Sequence, residues 1–145
     1  LNMREFSTAG RVKAVRELLD VALANGIEKP LIDTCVMDIP SLGMACKALL
    51  KLREEVEWPI GCSPHNAIDT WRGLKTKMGK DAVKPCMAGA NVLAAAVGAD
   101  FLLYGPIEAA KYIFPAVAMV DAALGFLLRE EGIKIGKDHP LYKIA

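Results

Sequence analysis

WPIGCSPHN, residues 58–66, decides the fold. An apolar run, 58–62, gives way at once to a polar cluster, Ser63, His65 and Asn66, and then to a helical pattern. The same order recurs on either side, in PLIDTC (30–35) and in ADFLLYGPIE (99–108). Parallel α/β proteins place their chemistry at the carboxyl ends of strands, where the loops open into a shared crevice. Those three ends carry Asp33, Thr34, Cys35, Cys62, Ser63, His65, Asn66, Tyr104 and Glu108.

The remaining elements fit that order. Ser7 or Thr8 caps a helix over 9–24, with Val12, Val15, Leu18, Leu19 and Ala22 on one face, stopped by Asn25 and Gly26. Residues 30–36 form a short strand, and Ser41 caps a helix to Glu55. After the strand 58–62, a helix runs from Asn66 or Ala67 to Gly79. Residues 80–85 are a polar connection and 87–97 a helix of small residues ended by Gly98. The third strand is 101–104, and 108–112 form a short helical turn. Pro115 suits the first turn of a long helix to Glu131, and 133–145 are a tail that includes His139. Strands alternating with helices predict an α/β fold with a parallel sheet. Three strands do not close a barrel, and an eight-stranded α/β barrel takes about 250 residues. The reading is therefore a single domain over 1–145. It forms either the last three βα units of a (β/α)8 barrel, as a piece of a longer chain, or a small independent sheet. The start at Leu1, without an initiator Met and close to a helix, is expected of a piece of a longer chain or of a processed one.

The 145 residues are 53% hydrophobic with a mean hydropathy of +0.27, which predicts apolar surface covered by a partner or by further chain. The net charge is +1, from 18 basic and 17 acidic residues well mixed along the chain. Phosphate backbones require clustered Lys and Arg, so nucleic acid is not an expected partner. The four cysteines, Cys35, Cys46, Cys62 and Cys86, form no C-x-x-C pair, and no secretory leader is visible. A reducing, cytoplasmic setting follows. Residues 92–104 are broken by Gly98 and Asp100, and 113–128 by Asp121. Neither stretch offers the roughly 20 apolar residues of a membrane helix.

Each polar cluster carries two readings. Asp33 at a strand end either accepts hydrogen bonds from ring N–H groups of a heterocycle, or caps the next helix or pairs with an arginine. Asp38, followed by Pro40 and Ser41, reads as a turn residue. Asn66 either steadies a ring nitrogen or caps a helix, and Ser63 reads as a cap. His65 titrates near neutrality and can donate a proton. Trp71 is a packing residue and Asp69 a helix position. Tyr104 can line the pocket, and Glu108 at a helix start either belongs to the site or is stabilised by the helix dipole without a catalytic role. Cys35, Cys62 and His65 at successive strand ends could hold a catalytic zinc, although small buried cysteines are also ordinary core residues. No G-x-G-x-x-G and no P-loop occurs.

KPLIDTCVMDIPSLG (29–43), GCSPHNAIDTW (61–71), ANVLAAAVGADFLLYGPIE (90–108) and YIFPAVAMVDAA (112–123), with EEGI and HPLYKI beyond them, resemble the H-subunit family of tetrahydromethanopterin S-methyltransferase. The resemblance covers nearly the whole chain and about the carboxyl-terminal half of the family's usual length. It implies the pterin-binding, dihydropteroate synthase-like (β/α)8 barrel. It also implies transfer of the methyl group from N5 of methyl-tetrahydromethanopterin to a Co(I) corrinoid carried by a partner subunit. The family's complex is archaeal, serves methanogenesis and lies at the membrane, with this component cytoplasmic and reaching the membrane through its partners. A homo-oligomer is expected as well. By similarity to the wider pterin methyltransferases, Asp33 matches the strand-end aspartate that holds the pterin ring. Their strand-end asparagine falls nearest Pro64 here, so Asn66 or His65 takes its role. Catalytic positions are thus Asp33, His65 and Asn66, and pterin contacts are Asp33, Cys62, Ser63, Asn66 and Tyr104. At the last strand YGP stands where relatives carry Asp-Pro. No D-x-H-x-x-G corrinoid motif occurs, in line with a corrinoid on the partner. Two other readings stand beside this one: a non-catalytic half-barrel that serves assembly, and a zinc enzyme built on Cys35, Cys62 and His65.

Overall fold

A computed structural model describes residues 5–144. Its centre is a three-stranded parallel sheet in the order β1 (Ile32–Asp33), β2 (Ile60–Cys62), β3 (Phe101–Leu102). The register pairs Ile32 with Ile60, Asp33 with Gly61, Gly61 with Phe101 and Cys62 with Leu102. Helices α1 (Thr8–Ala24), α2 (Ile39–Arg53), α3 (His65–Asp69), α4 (Val83–Ala96), α5 (Ala110–Glu130) and α6 (Leu141–Ile144) connect and cover the strands. This is the α/β alternation that the sequence predicts.

Local chemistry explains most boundaries. Ser7 caps α1 by accepting from the Gly10 N–H. Asp38 caps α2 through a reciprocal box with Ser41: the Asp38 carboxylate accepts from the Ser41 N–H while the Ser41 hydroxyl accepts from the Asp38 N–H. Asp38, not Ser41, is therefore the cap. The Ser41 hydrogen bonds, side chain first and then backbone, hold its carboxyl below the ordinary range, and Arg11 adds a smaller pull.

Several elements depart from the expected ranges. The strands pair over only two or three residues, because the chain turns away soon after each polar cluster begins. The expected helix to Gly79 stops at Asp69 and resumes as a single π turn, Leu74–Met78, that buries Leu74. Helix α4 begins at Val83, inside the expected polar connection. A 3₁₀ turn, Ile107–Ala109, runs straight into α5, so Pro115 sits inside the helix and not in its first turn. The resulting continuous segment, Ile107–Glu130, is 24 residues and is long and apolar enough to cross a membrane. It meets that standard by length and composition alone, and Asp121 still interrupts its apolar run. The tail is also partly ordered: α6 buries Leu141 and brings the His139 ring against Gly125 of α5.

The core lies between the sheet and the helices in two clusters. One joins Ile32 and Ile60 to Val12 of α1 and to Ala48, Leu49 and Leu52 of α2. The other joins Cys62 to α2, α3 and α4 through Cys46, Ala67, Ile68 and Ala94. Arg53 pairs with Asp100 at 2.9 Å, and Asp100 also accepts from the Ile60 N–H, which ties the end of α2 to the starts of β2 and β3. Much apolar surface stays uncovered: Leu18 and Val21 on α1, and Phe114, Met119, Phe126 and Leu127 on α5.

Candidate active site

The carboxyl ends of β2 and β3 frame a groove of about 440 Å³ lined by Ser63, His65, Asn66, Tyr104, Gly105 and Ile107, with Leu102 and Leu103 at its base. His65 opens α3. Its Nδ1 is buried and makes no hydrogen bond among the described residues. The ring lies against Gly105, where a Cβ would come within 2.3 Å of His65 Cγ. Gly105 has φ +99°, so glycine answers both the close approach and the left-handed backbone.

Asn66 points its amide into the neighbouring loop, its Nδ2 donating to the Val36 carbonyl at 3.0 Å. That bond fixes the side chain and turns its Oδ1 away from the backbone acceptor. The Ser63 hydroxyl donates across the sheet to the Leu103 carbonyl at 3.2 Å. Neither Ser63 nor Asn66 caps α3: the cap position is Pro64, without a side-chain hydrogen bond. Tyr104 packs edge-on against Phe114 of α5, with ring centres 5.2 Å apart, and its ring borders the groove. Behind it, between β3, α4 and α5, lies a second cavity of about 470 Å³ lined mostly by apolar side chains. The smaller groove holds the convergent polar groups, so it is the better candidate for chemistry.

Asp33 ends β1 and is exposed. Its Oδ1 accepts from the Cys35 N–H at 2.7 Å, and Oδ2 has no partner among the described residues. Cys35 sits at φ 62°, unusual for a residue with a side chain. Arg11, from α1, holds this turn. It is 2% exposed, and one guanidinium nitrogen donates to the Thr34 carbonyl at 2.7 Å and to the Cys35 carbonyl. On the other side Thr34 donates its N–H to the Gly61 carbonyl of β2 at 3.0 Å.

The strand-end residues therefore separate. Ser63, His65, Asn66 and Tyr104 share one groove, and Asp33 lies at the neighbouring strand end. Cys62 departs from its expected role as a ligand contact. Its side chain is fully buried among core residues on the helix side of the sheet. Burial first, then Cys46 and Asp33, push its thiol up to about 12. Among the described residues no group of three or more His, Cys, Asp or Glu could hold a metal, so Cys35, Cys62 and His65 do not assemble a zinc site. Glu108 is exposed in the 3₁₀ turn and outside the groove. Arg11 was not among the sequence candidates. Its signal was spacing: positions 11, 15, 18 and 22 share one helix face, and an arginine on the apolar face of a helix needs internal partners.

Comparison with known proteins places this geometry in a lineage. The sequence model of the tetrahydromethanopterin S-methyltransferase MtrH subunit matches residues 3–136. The chain belongs to this family. It is 35% identical over 153 residues to the H subunit of tetrahydromethanopterin S-methyltransferase from Methanosarcina acetivorans, covering 100% of this chain and 48% of that protein. Against the same subunit from Methanocaldococcus jannaschii the identity is 34%, over 95% of this chain and 47% of that protein. The H subunit of a putative mtx methyltransferase from Methanosarcina barkeri is 38% identical, over 97% and 49%. The chain spans about half the length of these relatives and aligns with their carboxyl half. The resemblance on the strand-end motifs is thus a family membership.

Proposed function

We propose that this chain contributes the carboxyl-terminal βα units of a pterin-binding (β/α)8 barrel that takes the methyl group from N5 of methyl-tetrahydromethanopterin. The observation that carries the reading is the groove at the strand ends, with His65 and Asn66 on one wall and Tyr104 on the other, in a chain of the MtrH family. Asp33, whose Oδ2 has no partner among the described residues, accepts N–H groups of the pterin ring. An amine leaves poorly, so N5 must gain a proton or a hydrogen bond as the methyl departs. His65 and Asn66 are the groups of this groove able to provide it. Nδ1 of His65 is buried against Gly105, so the contact of this ring with a ligand in the groove falls to Nε2. Tyr104 and the leucines at the groove's base shield the reacting carbon from water.

The methyl acceptor is a Co(I) corrinoid on a partner subunit, which supplies the nucleophile. The residues of this chain orient the pterin toward it. Uncovered apolar surface on α1 and α5 supports contact with the other half of the barrel, with further copies or with partner subunits. In this reading the protein works in the cytoplasm, at the periphery of a membrane complex that it reaches through those partners. An assembly role without catalysis is the alternative, favoured by the two open edges of the short sheet among the described residues.

In the full-length natural protein, Asp33→Ala is expected to weaken pterin binding by about tenfold to a hundredfold without unfolding. His65→Ala and Asn66→Ala are expected to slow methyl transfer by about a hundredfold, mainly in kcat. Titration calorimetry and a cob(I)alamin methylation assay read both. Unchanged pterin affinity in Asp33→Ala would remove Asp33 from the site.

A further inference from the structure

Arg11 is a buried cation with no carboxylate among its hydrogen-bond partners in the described residues. One of its nitrogens donates to two consecutive carbonyls, those of Thr34 and Cys35, and its Nε and other terminal nitrogen are buried without a partner among the described residues. Burying a guanidinium on such terms is costly. A helix that needed only an apolar contact here would be better served by methionine or leucine. What the arginine achieves is visible in the turn it grips. Two adjacent carbonyls face one donor only if the chain between them bends sharply, and Cys35 bends into the left-handed region, at φ 62°. That bend brings the Cys35 N–H back onto Asp33 Oδ1 at 2.7 Å. From the opposite side, the Thr34 N–H and hydroxyl both donate to the Gly61 carbonyl, at 3.0 and 3.3 Å, so the turn is held between α1 and β2.

We propose that Arg11 is a positioning residue: it clamps the Thr34–Cys35 turn so that the Cys35 N–H fixes one oxygen of Asp33 and aims the other at the ligand. The inference deepens the pterin reading and rests on it for the identity of that ligand. Arg11 does not touch the pterin; it acts through the turn.

The test uses the full-length natural protein with Arg11→Lys, Arg11→Met and the double variant Arg11→Met with Cys35→Gly. Two readings are taken: the dissociation constant for N5-methyl-tetrahydromethanopterin and hydrogen exchange at the Cys35 amide. Arg11→Met should raise the dissociation constant by at least about tenfold and expose the Cys35 amide to exchange. Arg11→Lys, which still offers donors to both carbonyls, should stay within about threefold of the unaltered protein. Adding Cys35→Gly to Arg11→Met should restore much of the lost affinity, because glycine enters the left-handed region without a clamp. A merely structural arginine would not be rescued by a glycine in the turn. Should Arg11→Met fail to fold, Arg11→Gln, with its shorter amide, is read in the same way. The proposal is overturned if the affinity stays within about twofold in Arg11→Met. It is equally overturned if affinity falls with the Cys35 amide still protected, or if neither lysine nor the glycine restores it. Pterin binding by the unaltered protein decides the functional reading separately, and if that binding is absent the Cys35 amide still decides the clamp.

Discussion

A methyl group added at Gly105 would press on the His65 ring at 2.3 Å, in a backbone conformation, φ +99°, that side chains rarely adopt. Gly105→Ala is therefore expected to cost about 1–3 kcal/mol of stability and to push His65 out of the groove. Denaturant unfolding together with the methylation assay would register both effects. Cys62 gives a prediction in pH. Its thiol is raised from an ordinary 9.0 to about 12 in the folded protein. The unfolded chain therefore releases this proton first as pH rises. The contribution is fully present below about 9 and is lost progressively between 9 and 12. Native Cys62 should accordingly resist alkylation at a pH of about 8, while Cys35, which is partly exposed, reacts first. The sequence placed His65, Asn66, Ser63 and Tyr104 at strand ends, because a polar cluster after an apolar run has one natural position in a parallel sheet. It did not separate Cys62 from them. A cysteine serves as ligand or as core residue with equal ease, and only the direction of its side chain decides between the two. Arg11 stayed hidden for the opposite reason: a charged residue on an amphipathic helix reads as solvent-facing, and its partners lie more than twenty residues away.

The β2 strand depends on one small residue. A Cβ at Gly61 would lie 2.2 Å from the Phe101 carbonyl oxygen of β3, and backbone cannot step aside as a flexible side chain can. Gly61→Ala is expected to separate β2 from β3 and to cost about 3 kcal/mol. Loss of protection at Leu103, whose N–H donates to the Cys62 carbonyl, would mark the break in hydrogen exchange. The start of α2 carries its own pH dependence. Asp38 is held below its ordinary 3.8 by Ser41, so its capping contribution is present above that value and is lost as pH falls through the lowered one. The main strands and helices were legible, since they alternate at clear periodicity, whereas the tail hid α6. Boundaries were less so. Residues 70–79 read as helical by composition, yet the chain breaks at Thr70 and re-forms as a π turn to bury Leu74. Pro115 read as a helix start, whereas the preceding 3₁₀ turn already sets the helix direction and the proline is accommodated inside it.

At the scale of the molecule, a sheet of three short strands carries long helices whose outer faces keep Leu18, Val21, Phe114, Phe126 and Leu127 exposed. A mean hydropathy of +0.27 anticipated that uncovered surface, and relatives about twice as long offer material to cover it. The proposed barrel would link these facts: both open strand edges would pair with the strands of the other half, and the strand-end groove would become part of a closed mouth, facing the corrinoid-bearing partner that the proposal invokes. The most direct test is methyl transfer from N5-methyl-tetrahydromethanopterin to free cob(I)alamin by the full-length natural protein, run beside its Asp33→Ala and His65→Ala variants. The account predicts transfer by the unaltered protein, with weakened pterin binding in the first variant and slowed turnover in the second. Transfer that is absent from a folded full-length protein, or that both variants leave unchanged, would contradict it.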